Sequence, residues 1–252
     1  MTNILDILKT KNPQVHLLEL HQKGELVHFL PELSNLDVNE VGYKNNLYHT
    51  LRVLENVCNI TDDYKMKLVA VLHDIGKPIV KKCNGNKWTF HNHESISAKM
   101  VIDIFDRFNI EDDYLKDYVY RMVYFHGRVK MHRDVTESAI RRLDKEVGQD
   151  IIFDLIEFCK CDITTKFNDK RDRIVSSLNT IKDRMIEVRN KDKEAEWRSP
   201  LTGDMVMELL NIKPCKLVGD IKKEFDPLLK NNEITLEQVI EAINTKYKKG
   251  DN

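Results

Sequence analysis

The stretch from residue 66 to residue 78, MKLVAVLHDIGKP, constrains the fold more than any other part of the chain. Read as a helix, it is apolar around most of its circumference, which is typical of a helix in the middle of a core. Near its end His73 and Asp74 stand side by side, and Gly76 and Pro78 follow as helix-ending residues. Adjacent helical side chains point about 100° apart, so these two converge only on an object between them. A cation between them would be bound by both the imidazole and the carboxylate. The ordinary explanation of the pair is that His73 caps the carbonyls of the helix end and that Asp74 is solvated.

The composition predicts an all-α protein without a global attraction to nucleic acid. A chain of 252 residues is long enough for one large domain or for a domain with an appendage. Nine glycines and six prolines are few, and helical periodicity runs through most of the chain. Because 40 basic residues balance 41 acidic ones, any binding of nucleic acid would depend on a local basic patch.

Cysteine usage and hydropathy predict the compartment. The five cysteines are odd in number and show no Cys-x-x-Cys spacing, so we expect reduced thiols rather than a disulfide framework or a zinc finger. No apolar run reaches bilayer length, and the N-terminus lacks the pattern of a secretory signal. We therefore expect a cytoplasmic protein with no membrane partner.

Breaks in the helical pattern predict three parts. Residues 1–36 form N-terminal helices, residues 37–192 a central domain, and residues 199–252 a helical C-terminal tail that follows a charged run. Three short helices are expected in the tail, and Thr235 with Gln238 forms a capping box for the last one.

Further histidines lie at helical positions or next to a helix start. His49 lies beside Val53 on a helix that begins near residue 45, and His126 ends the apolar stripe of a helix over residues 112–126. His91 and His93 precede a helix that we expect to open at Ser95. Each has an ordinary explanation as a half-buried side chain, a core histidine bonded to a carbonyl, or a helix cap.

Asp162 continues the buried stripe of the helix predicted over residues 151–163. A buried carboxylate needs a cation, a proton or several donors, because desolvating it alone is costly. No lysine or arginine stands one turn earlier on the same face, so its partner must come from elsewhere in the fold. The alternative is a frayed helix end and a solvated carboxylate.

The order of His49, the His73-Asp74 pair and Asp162 resembles the HD-domain metal phosphohydrolases, whose pattern is a histidine, then His-Asp, then a distant aspartate. The resemblance implies an all-α HD-domain helical bundle over residues 37–192 with a small helical C-terminal appendage. It also implies an enzyme, a metal-dependent phosphohydrolase.

Longer segments resemble one particular group of HD-domain proteins. The segments 29–33 (FLPEL), 73–78 (HDIGKP) and 90–98 (FHNHESISA) look like the HD region of bacterial CCA-adding tRNA nucleotidyltransferases and of poly(A) polymerase-like proteins, and 201–205 (LTGDM) looks like the segment that follows it. The nucleotidyltransferase head, with its Gly-Ser pair and acidic couplet, has no match, so we expect no nucleotide addition. The chain also departs at Tyr43, where the family often has a further histidine.

The resemblance implies a metal centre that binds one or two divalent ions. The first would be held by His49, His73, Asp74 and Asp162, and the second by His93 and His126 with Asp74 as a bridge. His91 competes with His93, which Glu94 and Ser97-Ala98 favour; His132 competes with His126, which its apolar stripe favours. Imidazole and carboxylate ligands together suit Mn, Ni, Co, Fe or Zn, and make Mg alone a poorer match.

The implied reaction is attack of a metal-activated water on a phosphate ester. Asp74 and Lys77 would be the catalytic residues, although Lys77 also fits a helix C-terminus favoured by the dipole. Lys77 and a predicted basic loop with Arg128, Lys130 and Arg133 would bind phosphate.

The implied substrate is a nucleotide or an RNA terminus, and the implied activities are those of a 2',3'-cyclic phosphodiesterase, a nucleotidase or a phosphatase. Transfer RNA is a further partner. Two other hypotheses use the same residues: a non-catalytic tRNA- or RNA-binding module on an HD scaffold, and di-iron oxygenase chemistry.

Overall fold

The computed structural model describes residues 3–38, 45–85, 87–130 and 136–247, without the side chains of Asn84, Lys87 and Lys130. The helices are α1 (Ile4–Leu8), α2 (Pro13–Gln22), α3 (Leu26–Phe29), α4 (Pro31–Ser34), α5 (Asn46–Cys58), α6 (Tyr64–Leu72), α7 (Lys77–Val80), α8 (His93–Arg107), α9 (Asp113–Lys130), α10 (Glu137–Val147), α11 (Ile152–Cys161), α12 (Asn168–Glu196), α13 (Gly203–Leu210), α14 (Lys216–Lys230) and α15 (Leu236–Tyr247). Strands β1 (Lys82–Asn84) and β2 (Lys87–Thr89) form a small antiparallel hairpin in which Cys83 pairs with Trp88. The prediction of an all-α fold is confirmed.

The chain divides into two compact units, residues 1–188 and residues 189–252. The first has a continuous apolar core that runs from Ile4 to Val188, and the second has its own smaller core around Val206, Ile221 and Val239. The division falls within α12, and the predicted domain bounds at residues 36, 192 and 199 stay predictions.

Helix α6 lies at the centre of the first unit, as its apolar circumference predicted. Every residue from Met66 to Leu72 is buried, and the helix packs against α1, α5, α9 and α11. Asp63 caps its start by accepting a hydrogen bond from the Lys65 backbone N–H at 2.9 Å. His73 follows as the C-cap, so the His73-Asp74 pair emerges where the helix ends inside the core.

Gly76 lets this turn approach α8 closely. Its backbone N–H donates to Ser97 Oγ at 2.9 Å, and a Cβ at this position would lie only 2.7 Å from both His93 O and Ser97 N. A side chain there would push backbone against backbone. Pro78 then lies in the first turn of α7, where a proline is well tolerated.

Several predicted helix bounds were wrong. Residues 3–30, which the sequence pattern predicts as one or two helices, form the three helices α1, α2 and α3, with Gly24 at φ +72° between α2 and α3. Leu18 and Leu20, which the same pattern predicts as buried, are half-buried. Helix α8 starts at His93 instead of Ser95, because Asn92 takes a left-handed conformation with φ 67° as its N-cap.

Two longer helices also correct the sequence prediction. Helix α9 continues to Lys130, so Arg128 and Lys130 lie on a helix and not in a basic loop. Helix α12, which the apolar periodicity predicts over residues 167–192, continues to Glu196 through the charged run. Alternating charges on an exposed face do not prevent helix formation, since they pair at a spacing of one turn.

The expectation of reduced thiols is confirmed, since no disulfide joins any of the five cysteines: Cys58, Cys83, Cys159, Cys161 and Cys215. None of the helices in the described ranges combines the length and the apolar character needed to cross a bilayer.

Candidate metal centre

Five helices of the first unit bring six polar side chains to one point. His49 lies in the first turn of α5, His73 and Asp74 follow α6, and Asp162 is the C-cap of α11. His93 is the first residue of α8 and His126 lies on α9. The six residues that the sequence predicted as metal ligands therefore converge although they are spread over more than a hundred positions.

One side of this cluster is formed by His49, His73 and Asp162 against Asp74. His49 Nε2 lies 2.9 Å from Asp162 Oδ1 and 3.5 Å from Asp74 Oδ2. His73 Nε2 lies 3.2 Å from Asp74 Oδ2 and 3.6 Å from Asp162 Oδ1. Two imidazoles and two carboxylates thus surround a common point.

The other side is formed by His93 and His126 against the second oxygen of Asp74. His93 Nε2 lies 3.2 Å and His126 Nε2 3.8 Å from Asp74 Oδ1, and the two Nε2 atoms are 3.3 Å apart. Ligand atoms of His49, His73 and Asp74 lie within 4.8 Å of one another, and so do those of Asp74, His93 and His126. Asp74 belongs to both groups and presents one oxygen to each, which is the arrangement of a bridging carboxylate.

Backbone carbonyls orient three of the four imidazoles. The Nδ1 atoms of His73, His93 and His126 lie 2.9, 2.8 and 2.7 Å from the carbonyl oxygens of Ala70, Phe90 and Val123, each three residues earlier in the chain. A carbonyl only accepts, so Nδ1 carries the proton in each ring and Nε2 of the neutral ring keeps its lone pair. His49 Nδ1 bonds instead to Thr164 Oγ1 at 2.9 Å. Such bonds to the distal nitrogen are typical of metal-binding histidines.

Burial and charge shift the pKa values of the cluster. The side chain of His73 is fully buried and that of Asp74 is 2% exposed. Burial opposes ionisation of Asp74, but the positive charges of His73 and Lys77 outweigh it and hold the pKa of this carboxyl well below its usual range. Burial also lowers the pKa of His73, yet Asp74 and Asp162 more than compensate and raise it to about 9. For His49 burial dominates and lowers the pKa.

These residues fit a divalent cation. Within the described residues, His73 Nε2 is buried and has no hydrogen-bond partner of acceptable geometry, although it faces two carboxylates. An orphaned buried nitrogen is costly unless something binds it. The two carboxylates that face this nitrogen favour positive charge here and thereby raise the pKa of His73. Imidazole nitrogens and carboxylate oxygens are the ligand set of Mn, Fe, Co, Ni and Zn.

Lys77 lies between the cluster and an open cleft. Its Nζ is 2.5 Å from Asp74 Oδ2, so in this structure it pairs with the carboxylate. Lys77, His49 and Asp162 line a cleft of about 630 Å³, which gives a ligand access to the metal centre. Lys77 starts α7 rather than ending α6, so the helix-end explanation of this lysine was wrong.

The segment after Asp162 contributes to the site in a way that its sequence did not indicate. Thr164 orients His49, and Thr165, Lys166 and Lys170 line the cleft. A hydroxyl that binds the distal nitrogen of a histidine 115 residues earlier leaves no local signal in the sequence. Lys166 and Lys170 could not be singled out in the sequence, because the chain contains 40 basic residues.

The structure distinguishes among the other predicted residues. His91 is exposed, whereas His93 reaches Asp74. Arg128 donates to Glu146 Oε2 at 2.8 Å as part of an exposed ion pair. His132, Arg133 and Tyr43 lie outside the described residues, as does the side chain of Lys130. Phosphate binding by Arg128, Lys130 and Arg133 stays a prediction.

Residues 46–165 match the family model described as HD domain. This range begins with α5 and ends just beyond α11, so it contains all six residues of the cluster.

Curated relatives share parts of the chain at low identity. The CCA-adding enzyme of Blochmanniella pennsylvanica is 29% identical over 109 residues, which are 41% of this chain and 26% of that protein. The multifunctional CCA protein of Psychromonas ingrahamii is 26% identical over 112 residues, or 42% of this chain and 27% of that protein. The protein of the same name in Thioalkalivibrio sulfidiphilus is 25% identical over 183 residues, or 70% of this chain and 43% of that protein. The chain thus spans less than half the length of each of these relatives.

Proposed function

We propose that this chain is a metal-dependent phosphohydrolase that hydrolyses phosphate esters of nucleotides or of RNA ends. The match of residues 46–165 to the HD-domain family model supports this proposal. The expected activities are those of a 2',3'-cyclic phosphodiesterase, a nucleotidase or a phosphatase. The relatives named for CCA addition support a substrate related to nucleic acid, with tRNA as a further partner.

The observation that carries the proposal is the convergence of four imidazole Nε2 atoms and two carboxylates at a buried point that opens to a cleft. His49, His73, Asp74 and Asp162 would hold one ion, and His93 and His126 would hold a second through the shared Asp74. A bound cation would also satisfy the buried Nε2 of His73, which has no hydrogen-bond partner of acceptable geometry among the described residues.

A divalent ion bound here supplies a water nucleophile at neutral pH and polarises the phosphoryl oxygen. The chain's own residues supply position and charge. The carbonyls of Ala70, Phe90 and Val123 keep three imidazoles in the ligand tautomer, and Asp74 shares its two oxygens between the two halves of the site. Lys77 would move from Asp74 to the substrate and neutralise its phosphate.

Phosphate release tests the proposal directly. The purified full chain should hydrolyse 2',3'-cyclic AMP or p-nitrophenyl phosphate with Mn²⁺ or Ni²⁺, and removal of the metal by a chelator should abolish turnover. Asp74→Asn should lower turnover by at least about a hundredfold, since it removes charge from both halves of the site. Asp183→Asn, a matched change at an exposed position of α12, should leave turnover unchanged.

Two outcomes would favour the other hypotheses. A folded protein that turns over none of these substrates with any metal, and binds RNA equally well with Asp74 or Asn, would be a binding module. Iron in the purified protein together with oxygen consumption would indicate oxygenase chemistry.

A further inference from the structure

A second cleft lies beside the cleft that leads to the metal centre. The first, here called the metal cleft, contains His49, Lys77 and Asp162. The second, the side cleft, has a volume of about 650 Å³ and contains Arg52, Asn56 and Arg171 among its lining residues. Residues 163–166 line both clefts, so the two clefts share this segment as a wall. A ligand that passes over this segment therefore reaches from the metal centre into the side cleft.

The two clefts are strongly basic although the chain as a whole has a net charge of −1. Their lining includes six cationic side chains but only two carboxylates: Arg52, Lys77, Lys160, Lys166, Lys170, Arg171, Glu157 and Asp162.

Three of these cations form no ion pair with the residues that the structure describes. Arg52 pairs with Glu55, and Lys160 pairs with Glu157 at 3.0 Å. Among the described residues, Lys166, Lys170 and Arg171 have no ion-pair partner, and all three are exposed. Unpaired cations along an open cleft attract an anionic ligand that carries more than one charge.

An exposed aromatic residue lies next to these cations in the chain. Phe167 is 74% exposed, the largest exposed fraction of any large apolar side chain in the described ranges. Its neighbours Lys166 and Asn168 both line the side cleft. Its backbone is fixed, because its N–H donates to Thr165 Oγ1 at 3.3 Å and its carbonyl accepts from Arg171 N at 3.1 Å. The backbone of Phe167 is therefore fixed beside the side cleft, and its ring is exposed to solvent.

We propose that the substrate of the metal centre is the end of a single-stranded oligonucleotide, whose adjoining base stacks on Phe167 and whose next phosphate contacts Lys166, Lys170 and Arg171. The inference rests on the proposed function, because it assigns a substrate to the same site. Aromatic rings combined with cations along a groove are the usual means of binding single strands without reading their sequence.

The geometry favours an oligonucleotide over a mononucleotide. A mononucleotide whose phosphate sits at the metal centre would leave the uncompensated cations of the side cleft without a ligand. A second nucleotide supplies both the base for Phe167 and the phosphate for Arg171. The substrate should therefore gain affinity with its second nucleotide.

The test compares two substrates with the same reacting group. These are a mononucleoside 2',3'-cyclic phosphate and a six-nucleotide single-stranded RNA that ends in a 2',3'-cyclic phosphate, each with Mn²⁺. The kcat/KM for the RNA is divided by the kcat/KM for the mononucleotide, and this ratio is measured for the native chain, for Phe167→Ala and for Lys170→Ala. Tyr114→Ala and Lys145→Ala are matched controls, since both positions are exposed and line neither cleft.

The native chain should prefer the RNA, and Phe167→Ala should reduce that preference by about tenfold to a hundredfold, as expected for the loss of one stacked base. Lys170→Ala should remove about one phosphate contact. The slope of log(kcat/KM) for the RNA against log salt concentration should therefore become shallower by about one. An equal kcat/KM for both substrates, or a preference that survives Phe167→Ala, would overturn the inference.

A binding measurement separates this failure from failure of the proposed function. The anisotropy of the fluorescently labelled RNA is followed with the native chain and with Phe167→Ala. Binding that Phe167→Ala weakens, without any turnover, would support the oligonucleotide site and overturn only the hydrolase. Turnover of the mononucleotide without binding of the RNA would overturn only the oligonucleotide site.

Discussion

At the scale of single residues, the two nitrogens of each imidazole have separate tasks. His73 and His126 do bond to carbonyls of their own helices, as the ordinary explanation of a core histidine requires. That bond occupies Nδ1 and leaves Nε2 directed at Asp74. The ordinary explanation and the ligand hypothesis are therefore compatible, because orienting a histidine through one nitrogen prepares the other.

Thr164→Val tests the orientation of His49. The substitution keeps the shape of the side chain but removes the hydroxyl that bonds His49 Nδ1. We expect the affinity for Mn²⁺ to fall by about tenfold to a hundredfold, as for other partners of metal ligands. Isothermal titration calorimetry measures this affinity. Thr180→Val, on the exposed face of α12, should change nothing; an unchanged affinity in Thr164→Val would mean that Thr164 does not position His49.

Gly76→Ala tests the close approach of the turn to α8. The added methyl group would meet the backbone of His93 and Ser97, so we expect a loss of about 1–3 kcal/mol in the free energy of unfolding. In Gly219→Ala the methyl group meets nothing within 4 Å on α14, and stability should rise by up to about 1 kcal/mol. Urea denaturation measures both variants. If the two variants had the same free energy of unfolding, α8 would be able to move away from the added methyl group at residue 76.

At the scale of helices, local chemistry decides which features the sequence predicts. The capping box of α15 is local and was predicted correctly: the Thr235 backbone N–H donates to Gln238 Oε1 at 2.9 Å, and the Gln238 N–H donates to Thr235 Oγ1 at 3.4 Å. The start of α8 was predicted two residues late, because a left-handed Asn92 can precede a helix without any side-chain cap.

Thr235→Ala tests the capping box. Loss of the hydroxyl leaves the N–H of Gln238 without its acceptor, which costs about 0.5–2 kcal/mol. Thr245→Ala, in the interior of the same helix, should cost nothing or stabilise slightly, because alanine has the higher helix propensity. Circular dichroism during urea denaturation compares them. A larger loss in Thr245→Ala than in Thr235→Ala would contradict the role of the cap.

At the scale of the whole molecule, periodicity predicts the helices but does not predict which helices meet. The buried stripe that ends in Asp162 showed that this carboxylate needs a distant partner, and the structure supplies His49 at 2.9 Å. No rule of spacing identifies that partner across more than a hundred residues. The predicted set came from the resemblance to HD domains, whereas the bond of Thr164 to His49 and the positions of Lys166 and Phe167 emerged only from the fold.

The most direct test of the metal centre is a measurement of bound metal. The native chain and Asp74→Asn are dialysed to equilibrium against Mn²⁺, and the metal per chain is determined by mass spectrometry. Because Asp74 presents an oxygen to each half of the cluster, the native chain should retain one or two ions and Asp74→Asn far fewer. Equal metal contents, or a native chain that binds none while it stays folded, would contradict a cation site formed by these six side chains.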